Sequence, residues 1–173
     1  LARIAARQNR PEEAVAAYRS AIRATWAEGE SRARLDAGFE LVEVLASTGS
    51  RKQAIAELLS MADQTADPAL LDRMGERFLT LGSSSEAADV FQRVVATTPG
   101  DSRAWLGLGE ARLAGGDIRA ARTAFERALR ADPDSQTARA RLDLSLRVLA
   151  LDPTPVGLRS ADRFARSRAL LEA

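Results

Sequence analysis

Apolar residues recur along this chain at the three- and four-residue spacing of an amphipathic helix, and each run is interrupted by a short turn. The clearest run covers residues 102–135. Its marked positions are Trp105, Leu108 and Gly109, then a turn at residues 115–117, and then Ala121, Phe125, Ala128 and Pro133. This pattern predicts two amphipathic helices that are joined by a tight turn and closed by a proline.

The same pattern occurs one unit earlier, over residues 68–101. At the same offsets within this earlier unit, the equivalent positions are Leu71, Met74, Gly75, Gly82, Ala87, Phe91, Val94 and Pro99. Agreement at so many spaced positions indicates an internal repeat, and a repeat of this length is typical of stacked helical hairpins.

The repeat resembles the tetratricopeptide repeat family, whose signature is W-x₂-L-G-x₂-Y, then A-x₃-F, then P, with a period of about 34 residues. One position departs: unit 102–135 has Arg112 where the signature has tyrosine, while unit 68–101 has the aromatic Phe78. The resemblance covers residues 1–135. It implies an all-α fold, a right-handed α-solenoid (superhelix) of helical hairpins with a divergent C-terminal capping hairpin.

The register divides the chain into repeat units within a single domain. The turn residues Asn9 and Gly49 continue it toward the N-terminus, and residues 26–34 are interpreted as extended helix ends rather than as a domain linker. Because Leu1 already lies in a helical pattern, we expect the sequence to be part of a longer protein. The predicted units are 1–28 (a truncated first repeat), 29–34 (an insertion), 35–67, 68–101, 102–135 and 136–173 (the divergent hairpin).

The divergent hairpin is predicted from two weaker helical patterns. Residues 136–149 form an amphipathic pattern with Leu142, Leu146 and Leu149 on one side. The stretch 151–157 contains two prolines and breaks the helix. A last helix is expected from about residue 158 or 160 to 171, with Phe164 among its spaced apolar residues.

Small and turn-forming residues predict how the helices meet and end. Gly82 and Gly116 stand where a helix must stop, so we expect a left-handed backbone there, and Asn9 fits the same role in the first unit. Within the hairpins, small residues let two helices approach closely; these are Gly75, Gly109, Ala87 and Ala121.

Two helix starts carry capping signals. Asp67 directly before Pro68 predicts an N-cap followed by a proline in the first turn. Ser83 followed by Glu86 predicts a capping box, in which each residue bonds to the backbone of the other.

Composition narrows the functional classes. The chain has 25 Lys and Arg against 24 Asp and Glu, and the formal net charge is +1. No basic stripe is visible, so nucleic-acid binding is not expected. The absence of histidine and cysteine removes disulfides, thiolate chemistry and the commonest transition-metal ligands. No apolar run reaches the ~20 residues of a membrane span.

Candidate catalytic motifs are weak. Residues 107–116, GLGEARLAGG, have the glycine content of a phosphate loop, but no strand precedes them and Gly107 and Gly109 fall inside a helical repeat. No carboxylate pair is singled out for acid–base chemistry, and no nucleophile motif is present. We therefore expect a protein that is not an enzyme and that needs no cofactor or metal.

The family resemblance implies which residues face a partner. In this family the first helix of each hairpin lines the concave surface where ligands usually bind. A protein or peptide partner is expected there, and the protein is expected to act as an adaptor or scaffold. The residues that the register places on this surface are Asp36, Phe39, Glu43, Asp72, Glu76, Leu79, Arg103, Leu106, Glu110 and Leu113.

Three glutamates, Glu43, Glu76 and Glu110, occupy the same offset in successive units and form an acidic ladder. One interpretation is an acidic groove for a basic peptide, with Phe39, Leu79, Leu106 and Leu113 providing apolar pockets. The other is pairing with arginines of adjacent helices, such as Arg73, Arg77 and Arg112, because unpaired like charges repel. Relatives that bind the carboxylate ends of chaperone tails use basic and amide residues here, so that activity is not expected.

Two further roles fit a repeat array of this kind. The array is a candidate spacer or self-association module, forming homo-oligomers within a larger envelope or secretion protein. It is also a candidate regulatory region attached to a separate catalytic domain. The Ala- and Arg-rich composition favours a bacterial source, and both cytoplasm and periplasm remain open as compartments.

Overall fold

The computed structural model describes residues 1–24, 31–151 and 159–172. Within these ranges the chain forms ten helices that are joined by turns. They are α1 (Ala2–Arg7), α2 (Pro11–Arg23), α3 (Ser31–Ser47), α4 (Arg51–Asp63), α5 (Pro68–Thr80), α6 (Ser84–Thr97), α7 (Ser102–Ala114), α8 (Ile118–Ala131), α9 (Gln136–Leu151) and α10 (Ser160–Glu172).

Each helix packs against the next along the chain, and α5 also contacts α7. Consecutive helices thus form hairpins, and the first helices of neighbouring hairpins lie side by side. This is the predicted all-α solenoid, and the fold prediction is confirmed. The division into repeat units stays a prediction, and residues 25–30, which include part of the proposed insertion, lie outside the described residues.

The turns within the hairpins have the predicted backbone. Gly49, Gly82 and Gly116 have φ values of 75°, 68° and 83°, and Asn9 has a φ of 56°. Glycine adopts this left-handed conformation without a Cβ clash, and asparagine tolerates it better than most residues. The same turn geometry therefore closes four hairpins, and in the first one asparagine replaces glycine.

One of the two predicted caps is confirmed and the other is wrong. The Asp67 carboxylate accepts a hydrogen bond from the Ala69 backbone N–H at 2.9 Å, as expected for an N-cap. Ser83 is the N-cap of α6 but makes no side-chain bond to the backbone. Its hydroxyl donates to Glu86 Oε2 at 2.9 Å instead. The Ser83 backbone N–H already donates to the Phe78 carbonyl at 2.8 Å, so the Glu86 carboxylate accepts from the hydroxyl rather than from the backbone.

Phenylalanine rings of the second helices lie in notches that glycines open in the first helices. A Cβ added to Gly75 or Gly107 would lie 2.6 Å or 2.5 Å from the ring of Phe91, and one added to Gly109 would lie 2.3 Å from the ring of Phe125. Both rings are buried. Phe91, on α6, therefore packs against α5 of its own hairpin and against α7 of the next hairpin.

A backbone carbonyl recurs at equivalent positions after α4, α6 and α8 and is satisfied in three ways. Trp105 Nε1 donates to the carbonyl of Pro99, and Arg139 donates to the carbonyl of Pro133, at 2.8 Å each. Each donor lies 6 residues after its acceptor along the chain. The equivalent carbonyl of Thr65 accepts instead from Arg93 at 2.7 Å, because a leucine occupies the position that corresponds to Trp105.

The C-terminal hairpin is less well packed than the units before it. Helices α9 and α10 correspond to the two predicted helices, and the proline break at residues 152–158 lies outside the described residues. Leu146 and Phe164 are 44% and 73% exposed. The apolar spacing of Phe164 therefore does not reflect burial against the other helices that the structure describes.

The glycine notch in α7 gives a direct test of the helix register. We expect Gly109→Leu to lower the free energy of unfolding by about 1–3 kcal/mol or more, because the new side chain overlaps the buried ring of Phe125. Gly100→Leu is the control, since a Cβ at this position meets nothing within 4 Å. The measurement is chemical denaturation of both variants, and equal stabilities would contradict the register.

Candidate partner-binding groove

Each glutamate of the acidic ladder forms an ion pair with an arginine of the following first helix. Glu43 on α3 pairs with Arg77 on α5 at 2.6 Å, and Glu76 on α5 pairs with Arg103 on α7 at 2.5 Å. Glu110 on α7 pairs with Arg141 on α9, also at 2.5 Å. The pairing interpretation therefore holds for the free chain. Whether these glutamates also bind a partner stays a prediction.

Of the pairing arginines, Arg77 is predicted from the sequence as a partner of the ladder, whereas Arg103 and Arg141 are not. The spacing between acids and arginines along the sequence is a signal for both of them. Arg103 pairs with Asp72 at 3.2 Å, and it follows this acid by the same number of positions by which Arg141 follows its partner Glu110. That spacing is slightly shorter than one repeat, so a search for acid-to-arginine steps of this length would have found both.

A second set of charges joins the first three helices. Arg3 on α1 donates to Glu40 on α3 at 2.6–3.0 Å, and the Tyr18 hydroxyl on α2 donates to the same carboxylate at 2.8 Å. The hydrogen bond from Arg3 lowers the pKa of Glu40. Burial, followed by the bond to Glu40, raises the pKa of Tyr18 to about 12. This cluster ties the short α1 to the array.

The predicted apolar pockets are less open than the sequence suggested. Phe39 is only 2% exposed, and the guanidinium of Arg73 lies 3.8 Å from its ring centroid. Its ring is therefore covered by a cation and does not line an open pocket. Leu79, Leu106 and Leu113 are half-buried, so each presents part of its side chain to solvent.

An open groove with a volume of about 820 Å³ lies between α5 and α7. Of the predicted site residues, it brings together Asp72, Glu76 and Arg103. The other predicted residues of the first helices do not line it. Its charged side chains are three acids and three arginines, namely Asp72, Glu76, Asp101, Arg73, Arg77 and Arg103.

Asp72 is the buried acid of this groove. It is 8% exposed, and its Oδ2 lies 3.2 Å from Arg103 Nε. Its Oδ1 is buried and accepts no hydrogen bond from the residues that the structure describes. Burial raises the pKa of Asp72; the charge of Arg103 opposes this shift, and those of Glu76 and Asp101 add to it. The groove therefore contains a carboxylate that is costly to keep ionised.

The described ranges contain no cluster of three or more acidic residues placed to hold a metal ion. No helix within them combines the length and apolar content that a membrane crossing requires.

Comparison with known proteins identifies the family. The family model for the tetratricopeptide repeat matches residues 1–69, 73–136 and 111–147. A TPR repeat-containing protein of Pseudomonas aeruginosa is 40% identical over 76 residues, which are 43% of this chain and 72% of the relative. The chain belongs to the tetratricopeptide repeat family.

Solved tetratricopeptide repeat structures share the fold at low sequence identity. A repeat protein from Parabacteroides merdae has a TM-score of 0.63 at 13% identity, covering 99% of this chain and 63% of its own. MamA from Desulfovibrio magneticus has a TM-score of 0.56 at 20% identity, covering 99% and 88%. The first repeat domain of Spaghetti (RPAP3) has a TM-score of 0.53 at 22% identity, covering 64% and 89%.

The ion-paired ladder predicts a salt-dependent contribution to the stability of this tetratricopeptide repeat chain. We expect the combined change of Glu43, Glu76 and Glu110 to Gln to lower the melting temperature at low salt, because each exposed pair contributes about 0.2–1 kcal/mol. The loss should shrink at about 1 M salt, where exposed charges are screened.

The matched control changes three exposed acids that form no ion pair within the described chain, Glu12→Gln, Asp63→Asn and Asp89→Asn. It removes the same total charge. Thermal unfolding of both triple variants at two salt concentrations separates pairing from net charge, and an equal loss in the two would refute pairing.

The raised pKa of Asp72 predicts a pH-dependent gain from its neutral analogue. The folded chain binds the Asp72 proton more tightly than the unfolded chain, so the ionised form opposes folding above the folded pKa. We expect Asp72→Asn to raise the melting temperature at pH 7 and to lose this advantage below about pH 4, where the aspartate is protonated in both states. Melting curves across this range test the sign; a variant less stable at pH 7 would contradict it.

Proposed function

We propose that this chain is a scaffold or adaptor that binds a protein partner through an extended peptide segment in the groove between α5 and α7. The single observation that carries the proposal is the groove itself, which is open and lined by both acids and arginines. A peptide backbone offers N–H donors and C=O acceptors, and a surface with both kinds of charge can bond to both.

The charges around the groove support a preformed site. The pairs Asp72–Arg103, Glu76–Arg103 and Glu43–Arg77 connect neighbouring first helices. A peptide would therefore meet a surface whose side chains are already ordered, which reduces the entropy lost on binding. Its volume of about 820 Å³ suits a few peptide residues rather than a whole domain.

Structures of the same fold support a peptide as the ligand class. One is the first repeat domain of Spaghetti (RPAP3) bound to the HSP90 peptide SRMEEVD. Another is the second repeat domain of human RPAP3 in complex with the HSP70 peptide SGPTIEEVD. In the present chain, glutamates occupy the ladder positions, so we propose a peptide partner of different charge from these acidic tails.

The proposed surface extends from the groove along the first helices. Leu106 and Leu113 on α7 are half-buried and are proposed to contact apolar side chains of the same peptide. Glu43 and Glu110 lie beyond the groove lining, and each is already paired with an arginine. We therefore assign them to the edges of the surface.

A bulky residue in the groove tests this function. Ala69 lines the groove and is exposed, so Ala69→Trp should fill it without disturbing the core. We expect peptides selected from a random display library by the full chain to lose roughly tenfold or more in affinity for this variant. Fluorescence anisotropy with the selected peptides measures the change.

The matched control is Ala96→Trp, which places the same side chain at an exposed alanine of α6 away from the groove lining. This variant should bind the selected peptides like the unmodified chain. Peptides that bind Ala69→Trp undiminished, or that lose affinity equally for both variants, would place the binding surface elsewhere.

A further inference from the structure

The carboxylates of Asp72 and Glu76 share one guanidinium, that of Arg103. Arg103 Nε lies 3.2 Å from Asp72 Oδ2, and its terminal nitrogen lies 2.5 Å from Glu76 Oε1. The arginine comes from α7, whereas both acids come from α5. One cationic group therefore spans two acids on the neighbouring helix.

The acids of this group retain unused bonding capacity. Asp72 Oδ1 is buried and accepts no hydrogen bond from the described residues, and the Asp72 residue is 8% exposed. A buried carboxylate oxygen without a donor is destabilising, and a donor that carries positive charge relieves it best. The unmet requirement in the groove is thus for a cationic donor.

The arginines of the groove are already engaged with carboxylates. Arg77 pairs with Glu43 at 2.6 Å. Arg73 pairs with Asp36 at 3.6 Å and also lies over the ring of Phe39. An anionic ligand would have to break one of these pairs and would still leave Asp72 Oδ1 without a donor. The groove is therefore better suited to a cation than to an anion.

Arg103 is the engaged arginine that can leave most readily. Its side chain is 67% exposed, against 46% for Arg73 and 38% for Arg77. A guanidinium that moves from such a position into water is readily hydrated, and a second cation that takes its place keeps both acids paired. A second cation could then take the place of Arg103 between Asp72 and Glu76.

We infer that Asp72 and Glu76 form a binding site for an arginine or lysine side chain of the partner, and that Arg103 occupies this site in the free chain. The role of the partner rests on the proposed function. In the complex, the partner's cation replaces Arg103 between the two acids, and Arg103 turns toward solvent. The arginine is thus an internal competitor that sets how tightly a basic residue binds.

The experiment titrates the full chain with N-acetyl-arginine amide, N-acetyl-lysine amide and N-acetyl-glutamate amide as probes, observed by NMR. We expect the two cationic probes to shift the carboxyl carbon of Asp72 and the Nε–H signal of Arg103, and the glutamate probe to shift neither. Asp72→Asn should weaken binding of the arginine probe on the order of tenfold.

The decisive variant is Arg103→Gln, which removes the competitor. It should tighten binding of the arginine probe on the order of fivefold, because the probe no longer has to displace a guanidinium from the two acids. Arg77→Gln is the matched control, because it removes the same charge from the groove but leaves Asp72 and Glu76 paired with Arg103. It should change the affinity by less than about twofold.

Several results would overturn the inference. They are binding of the glutamate probe at Arg103, unchanged or weaker binding by Arg103→Gln, and equal tightening by Arg77→Gln. The titration of the unmodified chain decides the matter even if a variant fails to fold. Groove-dependent peptides that lack basic residues would leave the proposed function standing and reject this inference. Binding of the arginine probe at Asp72, with no groove-dependent peptides recovered, would support this inference and reject the proposed function.

Discussion

The structure depends on the close approach of helices at positions where a glycine faces a buried phenylalanine ring. Phe91 fits against both Gly75 and Gly107, and Phe125 fits against Gly109, at distances that exclude even a methyl group. Because interiors are close-packed, such a contact has one separation and one register. Once α5, α6 and α7 are held in this way, the first helices must lie side by side.

The glycine at position 107 also decides where the charges lie. Arg73 and Arg141 occupy equivalent positions one unit before and one unit after it, and each pairs with an acid of the preceding first helix. An arginine at position 107 would collide with the ring of Phe91. On α7 the arginine stands one turn earlier, at Arg103, and from there it reaches two acids of α5. The contact between Gly107 and Phe91 in the core thus determines where the arginine of the groove can stand.

Local rules predicted the fold well because each depended on a few neighbouring residues. The turns at Asn9 and Gly82 followed from backbone sterics alone, and Asp67 capped its helix as its chemistry required. The incorrect predictions concerned side chains for which more than one partner was within reach. Glu86 accepts from the Ser83 hydroxyl because the Ser83 N–H already donates to Phe78, and Phe39 is covered by an arginine from another helix. Periodicity identifies the face of a residue but not the side chain that reaches it from the next repeat.

The inter-repeat ion pairs have a direction. From α3 onward, the acid lies on the earlier first helix and the arginine on the later one. The two sides of a hairpin are therefore chemically different, and each complements the opposite side of a similar hairpin. Duplication of an internal unit within the gene would place acids of one copy beside arginines of the next at the new junction. An array of this kind can lengthen during evolution in one orientation, head to tail, without inventing a new contact surface.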